Sequence, residues 1–240
     1  MKLLSIGNSF SQDAHQFLHR LAVANDFELE TYNLHIGGCS LETHWNNFTD
    51  NVKPYGFYYN GERLREESLC NALSLYDYDI ITFQQASRYS GVFESYEPYL
   101  SNLSAEVRKL HPKAKFYFQQ TWAYEIDSGH SGFATYDRDQ KNMFRMIVDA
   151  STKALSVIKG EMIPTGTAIQ QIRETVPEFD YANGGFSLCR DGHHLSLDYG
   201  RFTAASTWLH ILSGKKVKVL PFNELDIELI RKILAVVNAL

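Results

Sequence analysis

Leu3-Leu4-Ser5-Ile6-Gly7-Asn8-Ser9-Phe10-Ser11 starts as an apolar run, stops at a glycine and turns polar. Just beyond it Phe17, Leu18, Leu21 and Ala22 recur at helical spacing, so the segment reads as strand, turn and helix. A serine at the junction sits where a strand's carboxyl end meets a helix N-terminus. Backbone N–H groups there can stabilise a developing oxyanion, and Gly7 lets the chain turn sharply, so Ser9 is a candidate nucleophile. The plainer reading makes Ser9 a helix N-cap, with Gln12 completing a capping box.

The same rhythm runs outward from this opening. Phe27 to His35 alternates polar with apolar residues and ends at Gly37-Gly38, a second strand followed by a loop. Leu41 to Phe48 suits a short helix. Asp79 to Phe83 and Ala114 to Gln120 read as the third and fourth strands, and Val157 to Ile163 contains or precedes a short fifth. Helical faces lie between and after them, marked by Met143, Met146, Ile147, Ala150, Ala154 and Ile158, then by Phe202, Ala205, Leu209 and Leu212, and finally by Leu229, Ile230, Ile233 and Val237. Strands alternating with helices predict an α/β fold with a parallel sheet covered on both sides, its ligands at the strands' carboxyl ends. One stretch breaks the rhythm. Residues 54–65 are rich in Tyr and Gly and carry the turn signal Asn60-Gly61, so they read as an insertion whose aromatics are candidates to border a pocket.

Composition narrows the function classes. A chain of 240 residues, 44% hydrophobic and 21% charged, fits one globular domain spanning 1–240. The net charge is −5 and the Lys and Arg residues are scattered, so the electrostatic footprint of nucleic-acid binding is missing. Cys39, Cys70 and Cys189 are far apart and lack CxxC spacing, which speaks against a disulfide framework or a zinc site and for a reducing compartment. The amino terminus resembles a signal peptide for only a few residues, and no apolar run reaches the roughly 18 residues of a membrane span. A cytoplasmic location with no membrane partner is the expectation, which a leader encoded upstream would alter. G-x-S-x-G, Walker, G-x-G-x-x-G and H-E-x-x-H motifs are absent.

Asp191-Gly192-His193-His194 is the second chemical motif, just before the helix that carries Phe202. A hydroxyl attacks poorly until a base takes its proton, and an imidazole oriented by a carboxylate does that. Asp191 and His194 could present both groups from one loop, with His193 as the neighbouring candidate; an Asp-Gly turn followed by a surface histidine is the bland alternative.

Together the two motifs resemble the SGNH (GDSL-like) hydrolases. Gly7-Asn8-Ser9-Phe10-Ser11 looks like that superfamily's GDSxS block with Asn for Asp, and Asp191-Gly192-His193-His194 looks like its DxxH block. The resemblance implies a three-layer α/β/α sandwich with five parallel strands in the order 2-1-3-4-5, the SGNH/flavodoxin-like arrangement. It implies Ser9, Asp191 and His194 as nucleophile, acid and base of a serine esterase, with no cofactor and no metal. For the oxyanion hole it implies the N–H of Ser9 and a glycine after the second strand, Gly38 or its rival Gly37. The family's GxND block is replaced by Ile80-Ile81-Thr82-Phe83-Gln84-Gln85-Ala86-Ser87, where Gln85 stands in for the usual asparagine, as in carbohydrate acetylesterases of the superfamily. Alternation on a strand lets only one of Gln84 and Gln85 point inward. Trp122, after the fourth strand, is a candidate sugar-stacking platform or a buried packing residue. The implied substrate is a small acyl ester, acetyl above all, on a carbohydrate. Two other classes stay in view: a non-catalytic carbohydrate-binding protein on the same fold, and a metal-dependent hydrolase using Asp191, His193, His194 and a distant His35 or His44.

Overall fold

The amino-terminal apolar run forms strand β1 (Lys2–Gly7), and the helix that follows it is α1 (Ser9–Ala24). A computed structural model describes residues 1–240. The chain continues through β2 (Glu30–His35), α2 (Leu41–Thr49), β3 (Tyr55–Tyr59), β4 (Glu62–Glu67), α3 (Leu69–Leu75) and β5 (Ile80–Phe83). Then come α4 (Tyr99–Leu110), β6 (Lys115–Gln119), α5 (Gln140–Ile158), β7 (Glu161–Ile163), α6 (Thr165–Thr175), α7 (Tyr199–Ser213) and α8 (Ile227–Val237).

The strands form one sheet in the order β4-β3-β2-β1-β5-β6-β7. Its five strands β2-β1-β5-β6-β7 are all parallel, in the order the resemblance implies. Two further strands extend it. Residues 54–65 lie in a hairpin that pairs antiparallel with β2 and so joins the sheet instead of standing apart from it. Asn60 and Gly61 turn it with φ of 50° and 90°, the left-handed pair that a two-residue hairpin loop requires. Its aromatics Tyr55 and Phe57 are buried in the core rather than lining a pocket.

Period-2 alternation distributes side chains to two cores. Leu3, Ile80, Tyr117 and Ile163 face a layer built on α1, α6, α7 and α8. Leu4, Ile6, Ile81, Phe83, Phe116 and Phe118 face the opposite layer, which includes α2, α3, α4 and much of α5. The result is a three-layer α/β/α sandwich. Register aligns the carboxyl ends of the strands, with Gly7 opposite His35 and Phe83 opposite Phe118, so the loops after β1, β2, β5 and β6 open on one rim.

Two histidines are sealed inside these layers. Thr82 donates to the Ser5 hydroxyl (2.8 Å), which donates in turn to His15 Nε2 (2.8 Å). The hydroxyl of Tyr55 donates to His44 Nδ1 at 2.9 Å. Burial pushes both imidazoles down to about 3, so the native protein holds them neutral. An unfolded chain protonates them below about 6.5. The unfolded state therefore binds more protons between about 6.5 and 3, and stability falls as pH drops through that window. Each histidine can contribute a slope of up to about 1.4 kcal/mol per pH unit. Urea unfolding between pH 7 and pH 5 will show a falling midpoint, and His15→Gln will make that fall shallower.

Candidate functional site

Asn8, not Ser9, caps α1. The Asn8 side chain accepts from the Phe10 N–H (3.0 Å) and donates to the Cys39 carbonyl (3.0 Å), tying the turn after β1 to the loop after β2. This arrangement leaves Ser9 in the first turn with its hydroxyl uncommitted to capping. Gln12 makes no capping box; its side chain accepts from Asn33 at 2.7 Å. Gly7 is needed on steric grounds, because a Cβ there would come within 2.1 Å of Ser11 Oγ.

Opposite Ser9 lies the loop before α7. Asp191 Oδ1 accepts from the backbone N–H of His194 (2.8 Å) and of His193 (3.2 Å), forming a tight turn around the carboxylate. Its Oδ2 is 2.7 Å from His194 Nδ1, and His194 Nε2 is 2.9 Å from Ser9 Oγ. The structure therefore brings Asp191, His194 and Ser9 into one hydrogen-bonded chain. Partial burial raises the Asp191 carboxyl, but the His194 ring and the two backbone N–H groups outweigh it and hold the group at about 2. That carboxylate is charged throughout the neutral range, as an imidazole partner requires. His193 makes no hydrogen bond to Ser9; its ring meets that of His130 edge-on, with centroids 4.8 Å apart.

The other expected site residues divide. The backbone N–H groups of Ser9 and Gly38 have no acceptor within the protein. Gly38 has a φ of 64°, and Gly37 beside it is open to solvent. Gln85 does not fit the oxyanion role. Its Nε2 donates to the carbonyl (3.0 Å) and hydroxyl (3.1 Å) of Ser95, and its Oε1 accepts from Leu41 and Ala86. Gln84 instead donates to Asn8 Oδ1 at 2.5 Å. Trp122 is no stacking platform: it is fully buried, lies parallel to Phe10 at 4.1 Å, and donates its Nε1–H to the His193 carbonyl at 2.8 Å. It packs beneath the histidine loop. His44 is buried against Tyr55, whereas Asp191, His193 and His194 hold ligand-capable atoms within 4.8 Å of one another.

A further group escaped the sequence reading. Asp13 lies one helical turn after Ser9 and is 1% exposed. Its carboxylate accepts from Arg190 (3.1 Å), from Arg201 (2.9 Å) and from the Leu195 N–H (3.0 Å), while Arg190 also donates to the Leu195 carbonyl. One buried charge thus fastens the Asp191–His194 loop to the helix that carries Ser9. The only signal in the sequence is an acid four positions beyond the serine, with arginines flanking the DxxH block on either side.

Residues 2–235 match the family model described as Domain of unknown function (DUF4886). No curated protein sequence matches the chain. A DUF4886 family protein from Bacteroides uniformis ATCC 8492 has a similar crystal structure at 36% identity and a TM-score of 0.91, covering 100% of this chain and 93% of that one. A predicted SGNH hydrolase from Slackia heliotrinireducens is similar at 20% identity and a TM-score of 0.60, over 88% of this chain and 98% of that one. Axe2, an acetylxylan esterase from Geobacillus stearothermophilus, is similar at 14% identity and a TM-score of 0.59, over 91% and 97%. The last two likenesses speak for the fold, which is that of the SGNH hydrolases. No helix is long and apolar enough to cross a membrane.

Removing one partner from a buried ion cluster leaves the others uncompensated, at a typical cost of about 3–5 kcal/mol. Arg190 and Arg201 are 33% and 19% exposed, so water recovers part of that cost. Asp13→Asn will therefore lower unfolding free energy by about 3 kcal/mol, measured by urea titration.

Proposed function

This chain belongs to the DUF4886 family, and we propose that it is a serine esterase that hydrolyses small acyl esters, acetyl esters of carbohydrate alcohols above all. The observation that carries this reading is the continuous chain from Asp191 Oδ2 through His194 to Ser9 Oγ, with distances of 2.7 and 2.9 Å.

In the proposed reaction Ser9 Oγ attacks the ester carbonyl carbon while His194 Nε2 takes the hydroxyl proton. The carbonyl oxygen becomes an oxyanion, held by the unpartnered N–H groups of Ser9 and Gly38. Collapse breaks the bond to the alcohol oxygen, which receives the proton from His194 and leaves, and the acyl group stays on Ser9. Water then attacks the acyl carbon, giving a proton to His194. A second collapse releases the carboxylic acid and returns that proton to Ser9 Oγ. Asp191 keeps the Nδ1 proton in place and stabilises the imidazolium formed in each half-reaction. Gln85 takes no part, because its amide is spent on Ser95.

Polar groups around the site favour an alcohol rich in hydroxyls over an alkyl chain. Ser87 and Tyr124 share a hydrogen bond of 2.8 Å, and the His130 ring lies 4.8 Å from that of Tyr124, next to His193. Burial pushes the His130 and His193 rings below the usual imidazole range, and the Arg88 guanidinium adds to the effect at His130. The fold shared with Axe2, named as an acetylxylan esterase, agrees with a small acyl group on a sugar.

A metal-dependent hydrolysis is the second reading, favoured by the cluster of Asp191, His193 and His194. Against it, both ring nitrogens of His194 are committed, one to Asp191 and one to Ser9.

On 4-nitrophenyl acetate and acetylated xylose, Ser9→Ala will leave only the residual rate due to binding and the oxyanion hole. Asp191→Asn will lower kcat on the order of 10⁴-fold, by analogy with other triads of this kind. A fluorophosphonate will label the wild-type protein at Ser9, and EDTA will not change turnover. Normal turnover by Ser9→Ala would overturn the assignment, and loss of activity to EDTA would favour the metal reading.

A further inference from the structure

Arg88 lies in the short 3-10 turn Ser87–Tyr89 after β5, on the same rim as the site. Its backbone is fixed: the Tyr136 hydroxyl donates to the Arg88 carbonyl (3.0 Å) and accepts from the Gly91 N–H (3.0 Å). The next loop packs against its side chain, since a Cβ at Gly132 would come within 2.5 Å of Arg88 Cβ. The guanidinium sits over the Tyr89 ring at 4.6 Å and donates to the Gly38 carbonyl at 3.4 Å. It thus stands against the very residue whose N–H is free. After burial, its charge helps to hold the His130 imidazole below the usual range.

What Arg88 lacks is a counter-charge. It has no carboxylate within ion-pairing distance, although acidic residues outnumber basic ones, 28 to 23. The acid nearest the reacting atoms, Asp191, is taken by His194. On the other side of Ser9, Arg190 and Arg201 are both engaged by the carboxylate of Asp13. Flanking imidazoles pushed towards the neutral form leave Arg88 as the fixed cation at the mouth.

From this placement, and resting on the esterase reading, we infer that the substrate carries an anionic group near its scissile ester, a carboxylate or a phosphate, and that Arg88 is the residue that binds it. A guanidinium presents a planar fork of donors that matches either anion, and one held in place by its backbone loses little freedom on binding. Arg88 is accordingly a specificity determinant. The transfer of the acyl group to water needs Ser9 and His194, while Arg88 selects which ester reaches them.

The test uses aryl acetates of matched shape: 4-carbamoylphenyl acetate as the neutral member, 4-carboxyphenyl acetate and 4-phosphonooxyphenyl acetate as the anions, and the corresponding 3-substituted set. Each kcat/KM is divided by the spontaneous hydrolysis rate of its ester. The wild-type protein will prefer at least one anion over its neutral partner by about tenfold, the scale of one charge-assisted contact. Arg88→Gln will bring that ratio close to one, chiefly through KM, and Arg88→Lys will restore part of it. Structural damage would lower all esters alike and leave the ratio unmoved. The arm with the larger ratio identifies the anion as carboxylate or phosphate. A wild-type ratio near one on every arm, or a ratio that survives Arg88→Gln, overturns the inference while leaving esterase activity standing. No turnover of any ester, together with no fluorophosphonate labelling of Ser9, overturns the esterase reading itself.

Discussion

A hydroxyl at position 9 and an imidazole at position 194 come within hydrogen-bond reach only if the two ends of the chain are locked together, and Asp13 is the lock. Its buried carboxylate holds Arg190 and Arg201 and caps the Leu195 N–H, so the loop that carries Asp191 and His194 is pinned to the first helix. Trp122 closes the loop from beneath by holding the His193 carbonyl. Neither group touches the reacting atoms of the proposed mechanism. Both fix distances on which it depends, and a proton relay is intolerant of errors on the order of 1 Å.

The parallel sheet supplies the rest of the alignment. Its strands end level with one another, so each loop on the rim begins from a fixed height. Asn8 and Gln84 use that register. Gln84 follows β5 and donates to Asn8, which in turn holds the Cys39 carbonyl after β2. Three loops from three adjacent strands are thus linked through one buried asparagine. Where the superfamily pattern has an aspartate before the serine, this chain has an amide that both donates and accepts, and it uses both capacities.

How much of this was legible in the sequence depended on how local the determinants were. Ser9, Asp191 and His194 stand in short motifs whose spacing carries the information, and the five parallel strands are marked by alternation and by glycines at their ends. Alternation cannot place Gln85, because it holds only while the strand continues. It ends at Phe83, and beyond it both glutamines are buried, each with different partners. Trp122 follows a strand, a position that suits a rim residue, yet the loop from Gln120 to Glu125 is buried throughout. Asp13 carries only a faint sign, its spacing from Ser9, and Arg88 carries none. A carboxylate on an amphipathic helix and an arginine in a turn look like solvated surface until tertiary structure surrounds them.

The hairpin formed by β3 and β4 shows how the same limits apply to the sheet. Its turn was readable from Asn60-Gly61, but its destination was not, since an isolated hairpin has two edges and the sequence does not say which one pairs. Burial decides it. Tyr55 and Phe57 face the core with Tyr32 of β2, so pairing along β2 covers that strand's open edge and buries aromatic surface at once. The new edge is then β4, Glu62-Arg63-Leu64-Arg65-Glu66-Glu67, which is exposed over all but its last residue. A row of charged side chains along an edge discourages pairing with a second sheet. At the far side β7 is only three residues long, too short to template another strand. Extension by the hairpin therefore exchanges an open edge beside the site for a charged one two strands away, and β2 is left as an interior strand that can carry the Gly37-Gly38 loop at a fixed position next to Ser9.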